Sequence, residues 1–123
     1  MEFTQVTGPH RYEVSYPSYE GAISAQESLR YIHNLGVDNI RAHARSLTDR
    51  LQKELPAIGY PSITPKANES PICSFVAKDP AKTMEKLAKA RVYVAMRFGN
   101  KMRIAPSVFN NQEDVDRLLA ALG

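Results

Sequence analysis

In the first half of the chain, apolar residues recur every three or four positions along two stretches, which is the spacing of one face of an α-helix. The first stretch predicts a helix over about 19–35, with Ser18 as its N-cap and Gly36 suited to the position after its end. The second begins at Val37 and predicts a helix that stops at Pro56, because proline breaks the helical hydrogen-bond pattern. Arginine and lysine occupy the side opposite the second apolar stripe, so this helix is strongly amphipathic.

The second half of the chain alternates short apolar stretches with two further amphipathic helices. These helices are predicted over about 80–90 and after Asn111, which is suited to cap the last one. Three strands are predicted, at 72–77, 92–97 and 102–105. Residues 98–101 supply the turn of a hairpin between the last two strands.

The order of these elements, α-α-β-α-β-β-α, predicts an α+β fold. In it, about four helices cover a small, mostly antiparallel sheet of about three strands, and all four apolar helix stripes are expected to be buried. Residues 1–18 mix Thr, Gly, Pro and aromatic residues without a period, and we interpret them as an extended N-terminal arm. Residues 19–123 then form one domain, since 123 residues is a common size for a single core.

The composition favours a soluble protein of the cytoplasm. Hydrophobic residues make up 43% and charged residues 24% of the chain, as in typical globular domains. The longest apolar runs, at 92–96 and 118–122, are far shorter than the ~20 residues needed to cross a bilayer. No charged and then apolar leader opens the chain, so secretion is also disfavoured. The single cysteine, Cys73, cannot form an internal disulfide, which suits a reducing compartment.

The charge pattern gives little support for a nucleic-acid partner. The net charge is +3, and acidic residues are scattered among the basic ones. The basic side of the second helix could hold phosphate groups, but no aromatic residues are interleaved with it to stack on bases. We therefore expect no nucleic-acid partner, and a basic nucleic-acid binder is kept only as a secondary alternative.

The chain is poorly equipped to act as a catalyst by itself. Its histidines, His10, His33 and His43, have no cysteine partner and no i, i+4 spacing, so a metal site is not expected. Cys73 lies in a predicted buried strand, where a thiol behaves as a small apolar group rather than as a nucleophile. The sequence also lacks phosphate-binding glycine loops, serine-nucleophile motifs and paired carboxylates. We therefore predict no catalytic residue in this chain.

Two arginines stand out beside the predicted hairpin turn. Arg97 and Arg103 flank the turn at either end of two apolar strands. The rigid guanidinium fork of arginine matches a carboxylate or a phosphate, so the pair is a candidate anion site. The alternative is that both side chains simply extend into water from the strand ends. The pattern alone leaves both interpretations open.

Three segments resemble the C-terminal small domain of the class V aminotransferases, a family of pyridoxal-phosphate enzymes that includes cysteine desulfurases, selenocysteine lyases and isopenicillin-epimerase-like proteins. Residues 11–19, RYEVSYPSY, are similar to the family's arm, and 71–75, PICSF, to its buried strand. The most specific match is 102–119, MRIAPSVFNNQEDVDRLL, which resembles the family's closing segment. The similarity extends from about residue 9 to the C-terminus and implies the small domain of a fold-type I enzyme.

The resemblance implies roles for three residues. Arg103 matches the family arginine that pairs with the α-carboxylate of an amino-acid substrate, and Arg97 occupies a nearby family position. Tyr16 falls where the family often has a threonine that reaches the cofactor phosphate of a neighbouring subunit. The complete enzyme is accordingly expected to be a homodimer that binds pyridoxal phosphate mainly through a large N-terminal domain.

The same resemblance implies that this chain does not act alone. In the family the cofactor lysine usually follows a histidine, and none of the lysines here does. We expect the chain alone to bind no pyridoxal phosphate and to be inactive, while the complete enzyme acts on an amino acid as an aminotransferase or a lyase. The alternative is a stand-alone α+β interaction module without catalysis.

One departure from the family narrows the subfamily. Cysteine desulfurases carry a loop with a nucleophilic cysteine between the two arginines. Here only residues 98–102 separate the arginines, and none of them is a cysteine. Cys73 lies in a different segment, so a persulfide-forming desulfurase is disfavoured.

Overall fold

The computed structural model describes residues 7–12 and 18–123 of the chain. The chain divides into two units, Met1–Gly36 and Val37–Gly123, and the hydrophobic core lies in the second. Within the described ranges, no helix is both long enough and apolar enough to span a membrane.

The first unit contains a 3-10 helix, Pro9–Tyr12, followed by helix α1, Tyr19–Leu35. Ser18 caps α1 as predicted, since its Oγ accepts the backbone N–H of Gly21 at 3.1 Å. None of the 17 residues of α1 is buried, and large apolar side chains such as Leu29 are exposed. The expectation that every apolar helix stripe is buried is therefore wrong for α1.

The second unit is a three-stranded sheet packed on helices. Its elements, in chain order, are α2 (Val37–Ala57), β1 (Cys73–Val76), α3 (Pro80–Lys89), β2 (Ala95–Arg97), β3 (Lys101–Ile104) and α4 (Gln112–Leu122). The strand order is β1-β3-β2 and both pairings are antiparallel, so β3 is the central strand. The predicted α+β class, element order and antiparallel sheet are confirmed.

One face of the sheet forms the core together with α2, α3 and α4. Phe75 of β1 and Met102 of β3 are paired in the centre of that face, and both are completely buried. The helices contribute the buried residues Leu47, Leu51, Leu55, Leu87, Val115, Leu118 and Leu122. Removing these apolar side chains from water is the main favourable contribution to folding of this unit.

Two element boundaries differ from the expectation. Helix α2 continues through Pro56 to Ala57, because a proline in the last turn removes only one N–H before the helix ends. Strand β2 is shorter than predicted and begins at Ala95. Its predicted first residue, Val92, instead donates its N–H to the carbonyl of Leu87 at the end of α3, at 2.9 Å.

Candidate functional site

The β2–β3 hairpin places three cationic side chains on the face of the sheet opposite the core. Arg97 lies opposite Lys101 in the register of the two strands, and Arg103 is two residues further along β3. Successive side chains of a strand point to opposite faces, so Lys101 and Arg103 share one face while Met102 points into the core. All three cationic residues are exposed. We call the surface made of Arg97, Lys101 and Arg103 the cationic face.

Arg103 has small neighbours on both sides. It is paired with Ser74 of β1 and with Ala95 of β2. Residues directly opposite one another on adjacent strands have Cβ atoms about 4.5–5.5 Å apart, so large neighbours at these positions would cover the guanidinium. Serine and alanine instead leave it accessible from solvent in the middle of the sheet.

The cationic face has no carboxylate partner among the described residues. Within 7–12 and 18–123, no aspartate or glutamate forms an ion pair with Arg97, Lys101 or Arg103. Like charges side by side on a sheet destabilise it. An anion bound from solution would remove this repulsion, so the arrangement suits an anionic ligand.

The basic side of α2 differs from the cationic face, because its arginines have carboxylate partners. Arg41 pairs with Glu69 at 2.5 Å. Arg50 contacts Glu54 at 2.8 Å and Asp116 of α4 at 2.5 Å, and these hydrogen bonds raise the pKa of Arg50. The nucleic-acid alternative therefore gains no support from α2, since its charges are largely compensated within the protein.

The turn of the hairpin is tight and carries an exposed aromatic residue. Phe98 (φ 47°) and Gly99 (φ 81°) are both left-handed, and the N–H of Asn100 donates to the carbonyl of Phe98 at 3.0 Å. Glycine adopts this conformation readily, whereas a bulky aromatic residue does so at a cost on the order of 1–3 kcal/mol. The Phe98 ring centre lies 5.5 Å from Nζ of Lys101, within the range of a cation–π contact.

Asn110 anchors the segment that follows β3. Its Oδ1 accepts the N–H of Ser107 at 2.9 Å, and its Nδ2 donates to Asp114 of α4 at 3.2 Å. Nε2 of His43 in α2 donates to the Asn110 carbonyl at 2.8 Å. The hydrogen bonds from Asn110 and from the backbone of Asn111 lower the pKa of the Asp114 carboxyl. This network fixes the end of β3 relative to the helices.

Cys73 is not part of the cationic face. It is completely buried in β1, and its thiol lies 3.7 Å from the carbonyl oxygen of Ile104. Burial raises the pKa of Cys73 to about 12, because the thiolate loses its hydration. The thiolate is the nucleophilic form of cysteine, so this position does not support a nucleophilic role.

The remaining candidate residues are dispersed. His10 lies in the 3-10 helix, His33 in α1 and His43 in α2. In the part of the chain that the structure describes, no group of three or more His, Cys, Asp or Glu could hold a metal ion. Tyr16 lies outside the described residues, and its role stays a prediction.

A separate surface cavity of about 390 Å³ opens beside α4. Exposed aromatic side chains, Tyr93 and Phe109, line it together with Arg117, which pairs with Asp114 at 3.7 Å. Arg97, Lys101 and Arg103 do not line this cavity. It is therefore distinct from the cationic face.

The second unit is thus a small α+β domain whose sheet carries a cationic face without internal counter-charges among the described residues. The aminotransferase class-V family model matches residues 1–118. The chain therefore belongs to the class-V aminotransferase family, whose complete enzymes use pyridoxal phosphate, and the resemblance seen in the sequence is confirmed.

Several known proteins are similar to this chain. Two probable cysteine desulfurases from strains of Staphylococcus epidermidis are 28% identical to it over 130 residues, covering 93% of this chain and 32% of each relative. The apo structure of a cysteine desulfurase from Thermococcus onnurineus NA1 matches with TM-score 0.79 and 22% identity, over 95% of this chain and 33% of that chain. A NifS-like protein matches with TM-score 0.76 and 19% identity, over 97% of this chain and 37% of that protein. The structural matches show the fold, and the chain spans about a third of the length of these proteins.

The described residues do not fit a pyridoxal phosphate site. A desolvated pocket favours the neutral amine of a lysine, which is the form that bonds covalently to such a cofactor. Of the lysines here only Lys86 is half-buried, and its Nζ donates to the carbonyl of Leu122 at 3.2 Å. The others are exposed. None of the described lysines therefore lies in a desolvated pocket that would favour a covalent bond to the cofactor.

Sequence reasoning missed Lys101 as a member of the cationic face. The sequence assigns it to the turn, whereas the structure places it in β3. A signal was present, because Lys101 precedes Arg103 by two positions and a strand of period two places both on one face. The left-handed backbone of Phe98 had no such signal, since glycine is the residue expected in that conformation.

Proposed function

We propose that this chain is the C-terminal small domain of a pyridoxal phosphate-dependent enzyme that acts on an amino acid as an aminotransferase or a lyase. Its contribution is recognition of the substrate α-carboxylate by Arg103. The observation that carries this proposal is the open position of Arg103 between Ser74 and Ala95. A guanidinium in such a position can donate two parallel N–H···O bonds to a carboxylate. Arg97, at the end of β2, is the second candidate for this role.

Although the relatives are named cysteine desulfurases, we propose that this enzyme does not form a persulfide on a cysteine of this chain. A persulfide-forming desulfurase needs a reactive cysteine beside its substrate. Cys73 is buried in the core, and residues 98–102 contain no cysteine. We therefore favour an aminotransferase or a lyase that does not use a cysteine of this chain.

The exposed apolar residues of α1 support the presence of a large partner domain. Tyr19, Ile23 and Tyr31 expose 58%, 64% and 64% of their surface. Clustered exposed apolar side chains mark interaction surfaces in soluble proteins. In the chain alone, amide hydrogen exchange should be faster in α1 than in α2 and α4, because α1 has no buried residue. Uniformly strong protection of α1 in a strictly monomeric chain would instead favour the stand-alone interaction module.

We further propose that the complete enzyme is a cytoplasmic homodimer. In it, a large N-terminal domain would supply the cofactor lysine, and Tyr16 would reach the cofactor phosphate of the neighbouring subunit. The chain alone is then inactive and binds no pyridoxal phosphate. Mixing the chain with pyridoxal phosphate should give no protein-bound visible absorption band that survives dialysis. Such a band, mapped to one lysine, would contradict this part of the proposal.

The role of Arg103 is tested by measuring substrate affinity in the complete enzyme with Arg103→Lys and Arg97→Lys separately. Lysine keeps the charge but loses the guanidinium fork, so Arg103→Lys should weaken binding by about 1–3 kcal/mol. If only Arg97→Lys weakens binding, the role belongs to Arg97. If neither change matters, both arginines are structural and the proposal for this site fails.

A further inference from the structure

We propose that the cationic face recognises an amino acid with two anionic groups, the α-carboxylate at Arg103 and a second anion of the substrate side chain at Arg97 and Lys101. This inference rests on the proposed function of Arg103 and names the substrate class for the same site. The chemical class is a short amino acid whose side chain ends in a carboxylate or a phosphate-like group.

The cationic face carries more positive charges than a single carboxylate requires. A single carboxylate is fully matched by one arginine, because its two oxygens accept two parallel hydrogen bonds from one guanidinium. The α-carboxylate bound at Arg103 therefore leaves Arg97 and Lys101 without a counter-charge. No described carboxylate pairs with either residue, in contrast to Arg41 and Arg50 on α2. A second anionic group on the substrate supplies that missing charge.

The strand register separates the two subsites by a short distance. Arg97 and Lys101 lie directly opposite each other, where Cβ atoms of adjacent strands are about 4.5–5.5 Å apart. Arg103 lies two residues along β3 from Lys101, which is about 6.6 Å at the rise of a β-strand. The long side chains of arginine and lysine can converge across this interval. Two anions joined by a few carbon atoms therefore fit the face.

The conformation of the turn supports the second subsite. The Phe98 ring contacts the Lys101 ammonium at 5.5 Å and positions it without cancelling its charge, as a carboxylate would. Phe98 makes this contact from a left-handed backbone that is unfavourable for an aromatic residue. Strain of this kind persists where the surrounding structure imposes it, and it is concentrated at ligand sites. The contact thus places a charged Lys101 next to Arg97.

The inference is tested by titrating the chain with three small acids and following backbone and arginine side-chain signals by NMR. Propionate carries one anion, succinate carries a second carboxylate and 3-phosphonopropionate carries a phosphate-like second anion. Succinate or 3-phosphonopropionate should bind about tenfold more tightly than propionate, which is the order contributed by one charge-assisted hydrogen bond. Whichever of the two binds more tightly identifies the second anion as a carboxylate or a phosphate-like group.

Three variants separate the two subsites from general electrostatics. Arg97→Gln should abolish the preference for the dianion and weaken propionate binding much less than dianion binding, whereas Arg103→Gln should weaken binding of all three acids. Lys53→Gln removes one exposed charge from α2, which packs on the other face of the sheet, and should change none of the affinities beyond general screening by salt.

The outcomes distinguish this inference from the proposed function. Equal affinities for propionate and the dianions, all dependent on Arg103, would overturn the second subsite and leave the carboxylate role of Arg103 in place. An equal loss of preference in Lys53→Gln and Arg97→Gln would also overturn it. If none of the acids binds in a way that depends on Arg103, the inference fails, and the affinity measurement in the complete enzyme decides the proposed function separately.

Discussion

Successive residues of each strand point to opposite faces of the sheet, and one face is apolar and buried while the other is charged and exposed. On β3, Met102 and Ile104 are buried against the helices, whereas Lys101 and Arg103 are exposed on the cationic face. Burial of apolar surface stabilises the fold, while exposed charges contribute little to it. The same short strand thus serves stability with one set of side chains and is available for recognition with the other. Substitutions on the two faces should therefore have separable consequences.

The largest expected effect on stability comes from the buried face. Phe75→Ala removes a completely buried ring from the centre of the core and should lower the free energy of unfolding by about 3–5 kcal/mol. Its neighbour Ser74 points to the other face, so Ser74→Ala should change stability by no more than about 0.5 kcal/mol. Urea unfolding of the two variants measures both values. Similar losses in the two would contradict the assignment of faces.

Thiol reactivity compares the two faces at adjacent positions. Cys73 is buried and its pKa is raised to about 12, so it should react with a thiol reagent only when the domain opens. A cysteine introduced by Ser74→Cys in a Cys73→Ala background should have a pKa at or below the ordinary value of about 8.5, because Arg103 lies opposite, and it should react at least on the order of 10³-fold faster. The measurement is a labelling time course at mildly alkaline pH. Comparable rates for the two thiols would show that Cys73 is not protected.

The dependence of stability on acid pH tests whether the Asp114 carboxylate, in the first turn of α4, stabilises the domain. The pKa of Asp114 is lowered in the folded state by the hydrogen bonds from Asn110 and the backbone of Asn111. A lowered folded pKa means that this contribution to stability is present above the unfolded value of about 3.9 and is lost as pH falls through the folded value. The stability difference between the native chain and Asp114→Asn should therefore shrink below about pH 4.

A matched control for this pH dependence is Asn111→Ala. It removes the side-chain cap that accepts the N–H of Asp114 at 3.1 Å, and it should cost about 1 kcal/mol. An asparagine does not titrate, so this loss should stay nearly constant between neutral and acidic pH. If the Asp114→Asn loss is equally independent of pH, the Asp114 carboxylate is not the stabilising form.

The smallest expected effect on stability belongs to the cationic face. Arg103→Gln leaves the buried face untouched and removes one of three neighbouring like charges, so stability should change by less than about 0.5 kcal/mol. A slight gain in stability at low salt would sharpen the comparison, because it would reveal the repulsion that a bound anion relieves. Urea unfolding at low and moderate salt measures this. A loss comparable to that of Phe75→Ala would show that Arg103 is a structural residue.

Local signals predicted much of the fold, because its boundaries are set by local chemistry. The N-caps Ser18 and Asn111 and the position of Gly36 define helix ends through hydrogen bonds within a few residues. The alternation of β3 likewise follows from period two in the sequence. Elements of this kind are predictable because each depends on a short segment.

The candidate site was only partly predictable, because its character depends on residues distant in sequence. The small neighbours of Arg103, Ser74 and Ala95, are set by strand register, and no local pattern specifies that register. Some of the carboxylates that pair with the arginines of α2 also come from distant segments, as in the pairing of Arg50 with Asp116. The sequence pointed to two arginines as a candidate anion site, and only the structure shows which charges of the chain have carboxylate partners.

The alternation of β3 also bears on the fidelity of folding. If β3 paired with β1 one residue out of register, Lys101 and Arg103 would enter the layer occupied by Phe75, and Met102 would be moved into water. Transferring two cations into that layer without partners would cost several kcal/mol for each. Misaligned pairings would thus be strongly disfavoured during folding, so the exposed charges of β3 also help to select the correct register of the central strand.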